Sequence, residues 1–308
     1  MFDKIYVMKK LFVLLITTAI AAIAVGQQLP YYSQYMYNDF FLNPAVAGSK
    51  DYIPLTLTFR KQWAGISYAP STQTLSAHSQ IIKNMGVGGV LFNDMTGPDR
   101  RTGMELAYAY HFKVTDKSKL SLGLAGYIMQ YVLDNTMLTL DEQNDNAIQG
   151  NKVTAILPDA TGGAYFYSDN YYIGLAIPQL FQTKIDLQAE TSELNTLVRH
   201  YFFTGGYKFK IDDEFEIEPS FLLKAISQAP VQLDINTKVL YKKMVWLGAS
   251  YRHDESFVLM LGFEKGNFNL GYSYDATLSN IRKYSSGSHE IFLGMNIPKG
   301  KKETSASY

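Results

Sequence analysis

The feature that most constrains this chain is a strict period of two. In "VQLDINTKVLYK", Val231, Leu233, Ile235, Val239 and Tyr241 are apolar, with Thr237 the one exception, and Gln232, Asp234, Asn236, Lys238 and Lys242 alternate with them. In "NFNLGYSY", Phe268, Leu270, Tyr272 and Tyr274 share one face, opposite Asn267, Asn269, Gly271 and Ser273. "MELAYAYHF" and "EFEIEPSF" repeat the pattern: Met104, Leu106, Tyr108, Tyr110 and Phe112 fall on one side, as do Phe215, Ile217, Pro219 and Phe221. Successive side chains of a strand point to opposite faces, so each segment is a strand with one oily and one polar side.

Such strands are expected near 52–62, 71–82, 86–93, 102–112, 119–133, 160–168, 171–178, 197–210, 215–226, 231–241, 244–252, 256–264, 267–275 and 288–297. Most run longer than the roughly 5–6 residues usual in soluble sheets. They match the roughly 9–11 residues of a tilted membrane strand. Every second connector is a tight polar turn ("KNMG", "SDNY", "IDDE", "KK", "EKGN"), whereas the long ones, near 134–159, 179–196 and 276–287, fall on the other side. Outer-membrane barrels share this asymmetry, which places both termini in the periplasm. Lipid cannot satisfy backbone N–H and C=O groups, so the strands must pair all round and close without an edge.

The expected fold is therefore all-β: a transmembrane antiparallel up-and-down barrel of about 14 strands. A sandwich core or a stacking platform would also use many aromatics, but neither accounts for strand length and turn parity together.

The chain opens with Lys4, Lys9 and Lys10 followed by "LFVLLITTAIAAIAV", a secretory signal in form, with Ala24 and Gly26 as small residues at the cleavage site. Residues 1–26 are set aside as that signal, 27–50 as an amino-terminal plug or lid, 51–298 as the barrel and 299–308 as a periplasmic tail. The chain has no Cys to carry a lipid anchor, a disulfide or thiolate chemistry. With 28 basic and 28 acidic residues there is no net charge to favour nucleic acid. Beyond the signal no apolar run approaches the length of a spanning helix. The 23 Tyr and 18 Phe collect near strand ends ("YFYS", "YYIG", "HYFF"), where amphipathic rings form interfacial girdles.

Chemistry-bearing motifs are sparse. The five His (His78, His111, His200, His253, His289) lack metal-ligand spacing. His78 lies near Ser76 and Ser79, but Ser79 faces the other way and Ser76 has no orienting acid, so no catalytic residue is assigned. "DEQNDN" (Asp141 to Asn146) is oxygen-rich yet lacks the Gly and terminal Glu of a calcium loop, and reads as a solvated outer loop. "MGVGGV" is followed by neither helix nor Lys; its glycines suit strand bending or close approach of a plug. Neither a metal nor a cofactor is expected.

In order along the chain, "SQYMYNDFFLNPAVAGS", "RKQWAGISYAPSTQTLSAH", "FNDMTGP" and "AYAYHF" resemble the PorP/SprF family of outer-membrane proteins associated with type IX secretion. The specific motifs run from about Ser33 through the first strands, and the likeness continues to the C-terminus as strand pattern and length. What the resemblance implies is a single barrel that binds proteins, taking part in secretion or surface attachment, in some members with a link to gliding. Its expected partners are the outer-membrane bilayer and other type IX components or a secreted adhesin; the number of copies stays open. A barrel of about fourteen strands is narrow for folded cargo.

Within the amino-terminal segment, Phe40, Phe41 and Leu42 form an apolar cluster, and Asn43-Pro44 restricts the preceding backbone. These five, with Trp63, are the candidate plug or partner-binding residues; the alternative for the segment is a flexible leader packed on the barrel base. Trp63 and Trp246 are expected as girdle residues more than as partner anchors. Arg60 and Lys61, if inside, are expected to pair with Glu214, Glu216 and Glu218. Besides protein docking, a porin for small or hydrophobic molecules is the second reading, supported by the polar inner face. An outer-membrane enzyme is the third.

Overall fold

A computed structural model of the chain describes residues 29, 32–138, 152–185, 196–227 and 229–299. The expected signal, the calcium-like run 141–146 and all of the tail beyond Lys299 lie outside the described residues. The strands are β1 (Tyr52–Lys61), β2 (Ser71–Ile82), β3 (Met85–Thr96), β4 (Asp99–Lys113), β5 (Lys119–Asp134), β6 (Lys152–Tyr167), β7 (Tyr171–Ile177) and β8 (His200–Tyr207). They continue as β9 (Phe209–Lys210), β10 (Phe215–Ile226), β11 (Ala229–Tyr241), β12 (Val245–Arg252), β13 (Ser256–Lys265), β14 (Phe268–Thr277) and β15 (Ser288–Pro298).

Each strand pairs antiparallel with its sequence neighbours, and β1 pairs with β15 from Tyr52↔Pro298 to Lys61↔His289, which closes the ring. β9 continues β8 past Lys208 and pairs with β10, as β8 does, so the fifteen segments make fourteen staves. Closure satisfies the backbone of the first and last strands, the groups that lipid could not.

The alternation sorts side chains as the period requires. Phe257, Leu259, Leu261 and Phe263 of β13 point outward and exposed, while Ser256, Val258 and Met260 point inward and are buried. On β14, Ser273 and Asp275 are buried inside while Phe268, Leu270 and Tyr274 are exposed. The connections after β1, β5, β7 and β14, in their described parts (62–70, 135–138, 178–185 with 196–199, and 278–287), lie at one rim, the long-loop rim. Tight turns at 83–84, 114–118, 168–170, 211–214, 242–244 and 266–267 form the short-turn rim. Near the latter, outward rings make a contiguous girdle: Phe166 lies 5.8 Å from Tyr171, Tyr171 6.4 Å from Tyr207 and Tyr207 4.4 Å from Phe209.

Not every aromatic belongs to that girdle. Tyr165 and Tyr172 turn inward, and Trp246, expected at the interface, is 1% exposed inside the barrel. Val245 and Leu247 hold the outward positions of β12, which leaves Trp246 on the inward face. There its ring lies so close to Gly262 that a Cβ would stand 2.2 Å away. β6 starts at Lys152 and not near 160: "LPDATG", a turn by composition, is strand, with Pro158 paired to Ile128 and exposed outside.

Candidate functional site

The candidate site is the lumen and the segment Tyr32–Lys50 that occupies it. This segment forms a 3-10 turn (Tyr35–Tyr37), a one-turn helix (Asp39–Leu42) and a second 3-10 turn (Pro44–Val46). Asn43 starts the second turn: its Oδ1 accepts from the Ala45 N–H at 3.0 Å, and Pro44 takes the first helical position, where a missing N–H costs nothing.

The chain enters at the long-loop half of the barrel and descends. Leu29 packs near Phe202 and Leu222 there, whereas Lys50 sits at the short-turn rim, where Lys299 Nζ donates to its carbonyl at 2.7 Å. The last described barrel residues thus lie at the short-turn rim, but the amino-terminal end of the described chain does not, because the segment runs the length of the lumen before β1 begins.

At its upper end the segment is held by buried charge. Arg60 Nη2 lies 2.6 Å from Asp275 Oδ2, and Nη1 lies 3.2 Å from Glu290 Oε2 and donates to Ser33 Oγ at 2.9 Å. The Ser33 and Gln34 amides donate to the two Glu290 oxygens at 2.8 and 2.9 Å, and the Ser33 hydroxyl donates to Asp275. Arg252 extends the network through Asp234 at 3.1 Å. Arg60 therefore pairs with Asp275 and Glu290, not with the 214–218 strand face. Glu218 pairs instead with Lys238 (2.6 Å) and Lys208 (3.3 Å), Glu214 with Lys242, and Lys61 Nζ donates to the Ala69 carbonyl. Arg60 leaves β1 toward the lumen at the closing seam, where Asp275 and Glu290 of β14 and β15 are the adjacent inward acids.

Lower down, close approach replaces charge. A Cβ on Gly123 would stand 2.3 Å from Ala45 N, and one on Gly86 would stand 1.9 Å from the Ala47 carbonyl oxygen. Ala45, Val46 and Ala47 are 0% exposed. Asn43 Nδ2 donates to the Ala164 and Leu175 carbonyls of β6 and β7 at 3.0 and 3.3 Å. Phe40 is buried against the His78 ring (5.0 Å between centroids), Phe41 meets Tyr32 edge-on at 4.7 Å, and Leu42 packs with Tyr35, Ala176 and Phe202. Tyr37 stacks on Phe292 at 4.6 Å and donates to Glu264 at 2.9 Å.

Phe40, Phe41, Leu42, Asn43 and Pro44 are thus assembled in the lumen. Trp63 is not with them: it sits half-buried at the long-loop rim in the left-handed region (φ 48), its backbone N–H donating to Ser288 Oγ at 3.1 Å.

His78 and His111 serve the same segment. His78 Nδ1 accepts from the Gly48 N–H at 3.1 Å, and His111 Nε2 meets the Ala47 carbonyl at 2.8 Å while its Nδ1 meets the Tyr167 hydroxyl. Ser76 Oγ donates to Asn38 Oδ1. Among the described residues no group of three or more His, Asp or Glu is placed to hold a metal ion.

The segment divides the lumen. Above it is a cavity of about 220 Å³ floored by Tyr32, Phe41 and Leu42 and walled largely by apolar side chains. Below it is a polar chamber of about 630 Å³ that opens among Asp39, Lys50, Asp51, Lys119 and Glu264. In that chamber the Asp39 carboxylate holds the Lys50 ammonium above its ordinary pKa. The described ends of the connection between β7 and β8, 178–185 and 196–199, lie over the long-loop mouth, with Ile185 and Leu197 buried against Met129 and Leu157; Asp159 accepts from the Phe181 and Thr183 amides.

Ser33, Arg60, Asp275 and Glu290 went unassigned in the sequence as a site. Their signal was positional: Asp275 continues the polar face of Asn267, Asn269, Gly271 and Ser273, at the strand end nearest the long loops.

Among solved structures, the chain is similar to a Pseudomonas aeruginosa FadL homologue (11% identity, TM-score 0.49, covering 91% of this chain and 96% of that one). It is also similar to the Pseudomonas putida toluene transporter TodX (11%, 0.45, 86% and 93%) and to the KdgM porin (10%, 0.38, 79% and 99%). At these identities and scores no function is carried across. No curated protein matches the chain. The family model described as type IX secretion system membrane protein PorP/SprF matches residues 24–295. This chain is therefore an outer-membrane β-barrel belonging to the PorP/SprF family of type IX secretion system membrane proteins.

Proposed function

We propose that this barrel is a docking component of type IX secretion: it holds an exported surface protein or a periplasmic partner and supports secretion or surface attachment. It does so without catalysing a reaction and without being the translocation pore. The observation that carries this reading is the lumenal segment, fixed from Ser33 at Glu290 to Ala47 at His111. A lumen so occupied gives a polypeptide no path, and a barrel of fourteen staves is narrow for folded cargo. Binding surface is then left to the long loops and to the polar chamber at the short-turn rim, which the usual loop asymmetry assigns to the periplasm. The non-catalytic part of the reading is supported by His78 Nδ1 and Ser76 Oγ, which are engaged by the Gly48 N–H and by Asn38 Oδ1.

Pull-down of the full chain from mildly solubilised membranes tests the proposal. Co-purification of type IX components or an exported surface protein is expected, and a cell lacking the barrel should synthesise that protein without displaying it. Normal surface display in such cells refutes the reading.

The second reading, a porin for small or hydrophobic molecules, is favoured by the two cavities along the lumen. Planar-bilayer conductance separates the two: a steady open pore in the intact mature chain supports transport, and a closed barrel supports docking.

A further inference from the structure

The upper cavity departs from the rule that governs the rest of the lumen. Inward positions elsewhere are polar, small or covered, either by the segment or, at Tyr131 and Leu157, by Ile185 and Leu197. Here Val90, Phe92, Met129, Phe202 and Leu222 turn apolar atoms toward an unfilled space of about 220 Å³. A cavity of roughly 150 Å³ lined by such side chains stays dry and takes up benzene. The space therefore suits one ring with a short chain.

One polar group on its wall is conspicuously underused. Glu105 points inward from β4 in a row of small neighbours, Gly103, Ala107 and Ala109. Among the described residues its carboxylate has the Thr161 hydroxyl as a hydrogen-bond partner and no cation at ion-pair distance. The other charged groups on the wall are engaged: Asp94 accepts from Thr72 at 2.6 Å, Arg101 lies over the Tyr131 ring at 5.8 Å, and Lys224 has a protein partner. A carboxylate buried beside apolar surface is costly without a donor to meet it.

We propose that this cavity binds a small amphiphile, an apolar body about the size of one aromatic ring and a short chain, whose hydrogen-bond-donating head meets Glu105. The apolar wall supplies affinity through area removed from water, and Glu105 supplies the choice of head group. This inference is independent of the docking role, which concerns loops and the opposite rim.

Equilibrium dialysis of the detergent-purified full chain against phenethylamine, toluene and phenylacetate tests it. Phenethylamine should bind saturably, and phenylacetate, whose carboxylate meets a like charge, at least about tenfold more weakly. Glu105→Gln, which keeps the shape, should weaken phenethylamine about tenfold or more while leaving toluene unchanged. Val90→Phe, which fills the space, should weaken all three, with folding checked by heat-dependent gel mobility. Absence of saturable phenethylamine binding, or binding unaffected by both substitutions, overturns the proposal. So does tighter binding of phenylacetate than of phenethylamine.

Discussion

Arg60 compensates two acids at once, and its partners hold the backbone of Ser33 and Gln34. Removing one member of a buried charge group leaves the rest uncompensated, so Arg60→Ala should cost about 3–5 kcal/mol, read as a lowered urea midpoint of the barrel refolded into liposomes. Ser33→Ala removes one hydroxyl from the same network and should cost about 1–3 kcal/mol by the same measurement. Gly123→Val acts on a different contact. The added Cβ meets Ala45 backbone at 2.3 Å, so the substitution should push the segment off the wall and raise conductance while heat-dependent mobility stays that of a folded barrel. Unchanged conductance would show that the segment yields without leaving the lumen.

At the level of strands, the sequence is readable because lipid and lumen impose opposite chemistries on alternate residues, and each of the fourteen staves overlaps a segment that alternation marks, β6 alone starting well before it. The misreadings came where tertiary contacts reuse a local signal. Pro158 and Asp159 fall in the expected connector 134–159, yet Asp159 accepts from the Phe181 and Thr183 amides and Pro158 faces out of the sheet, both within β6. Residue type alone points Trp246 to the girdle, although parity with Val245 and Leu247 places it inside. The pairing of Arg60 could not be read, since it depends on which strands meet at closure. The same alternation gives a prediction: Leu259→Arg, outward near the middle of β13, should destabilise the inserted barrel by about 2–4 kcal/mol, whereas a substitution such as Ser256→Thr on the inward face should change the urea midpoint little.

For the whole molecule, the pairing that closes the ring is distinct from the contacts that hold its occupant. Backbone pairing from β1 round to β15 involves no atom of the segment, so a chain lacking residues 29–49 should still fold and insert, and should conduct where the intact chain does not. A deleted chain that fails to insert would show that the occupant is needed to nucleate the ring. Arg60 belongs to the first strand and Glu290 to the last, and Ser33 lies between them. Biogenesis therefore has a chronology written into it: the leading end of the polypeptide is best installed while the cylinder is still an open sheet, and the final hairpin is then drawn shut around it.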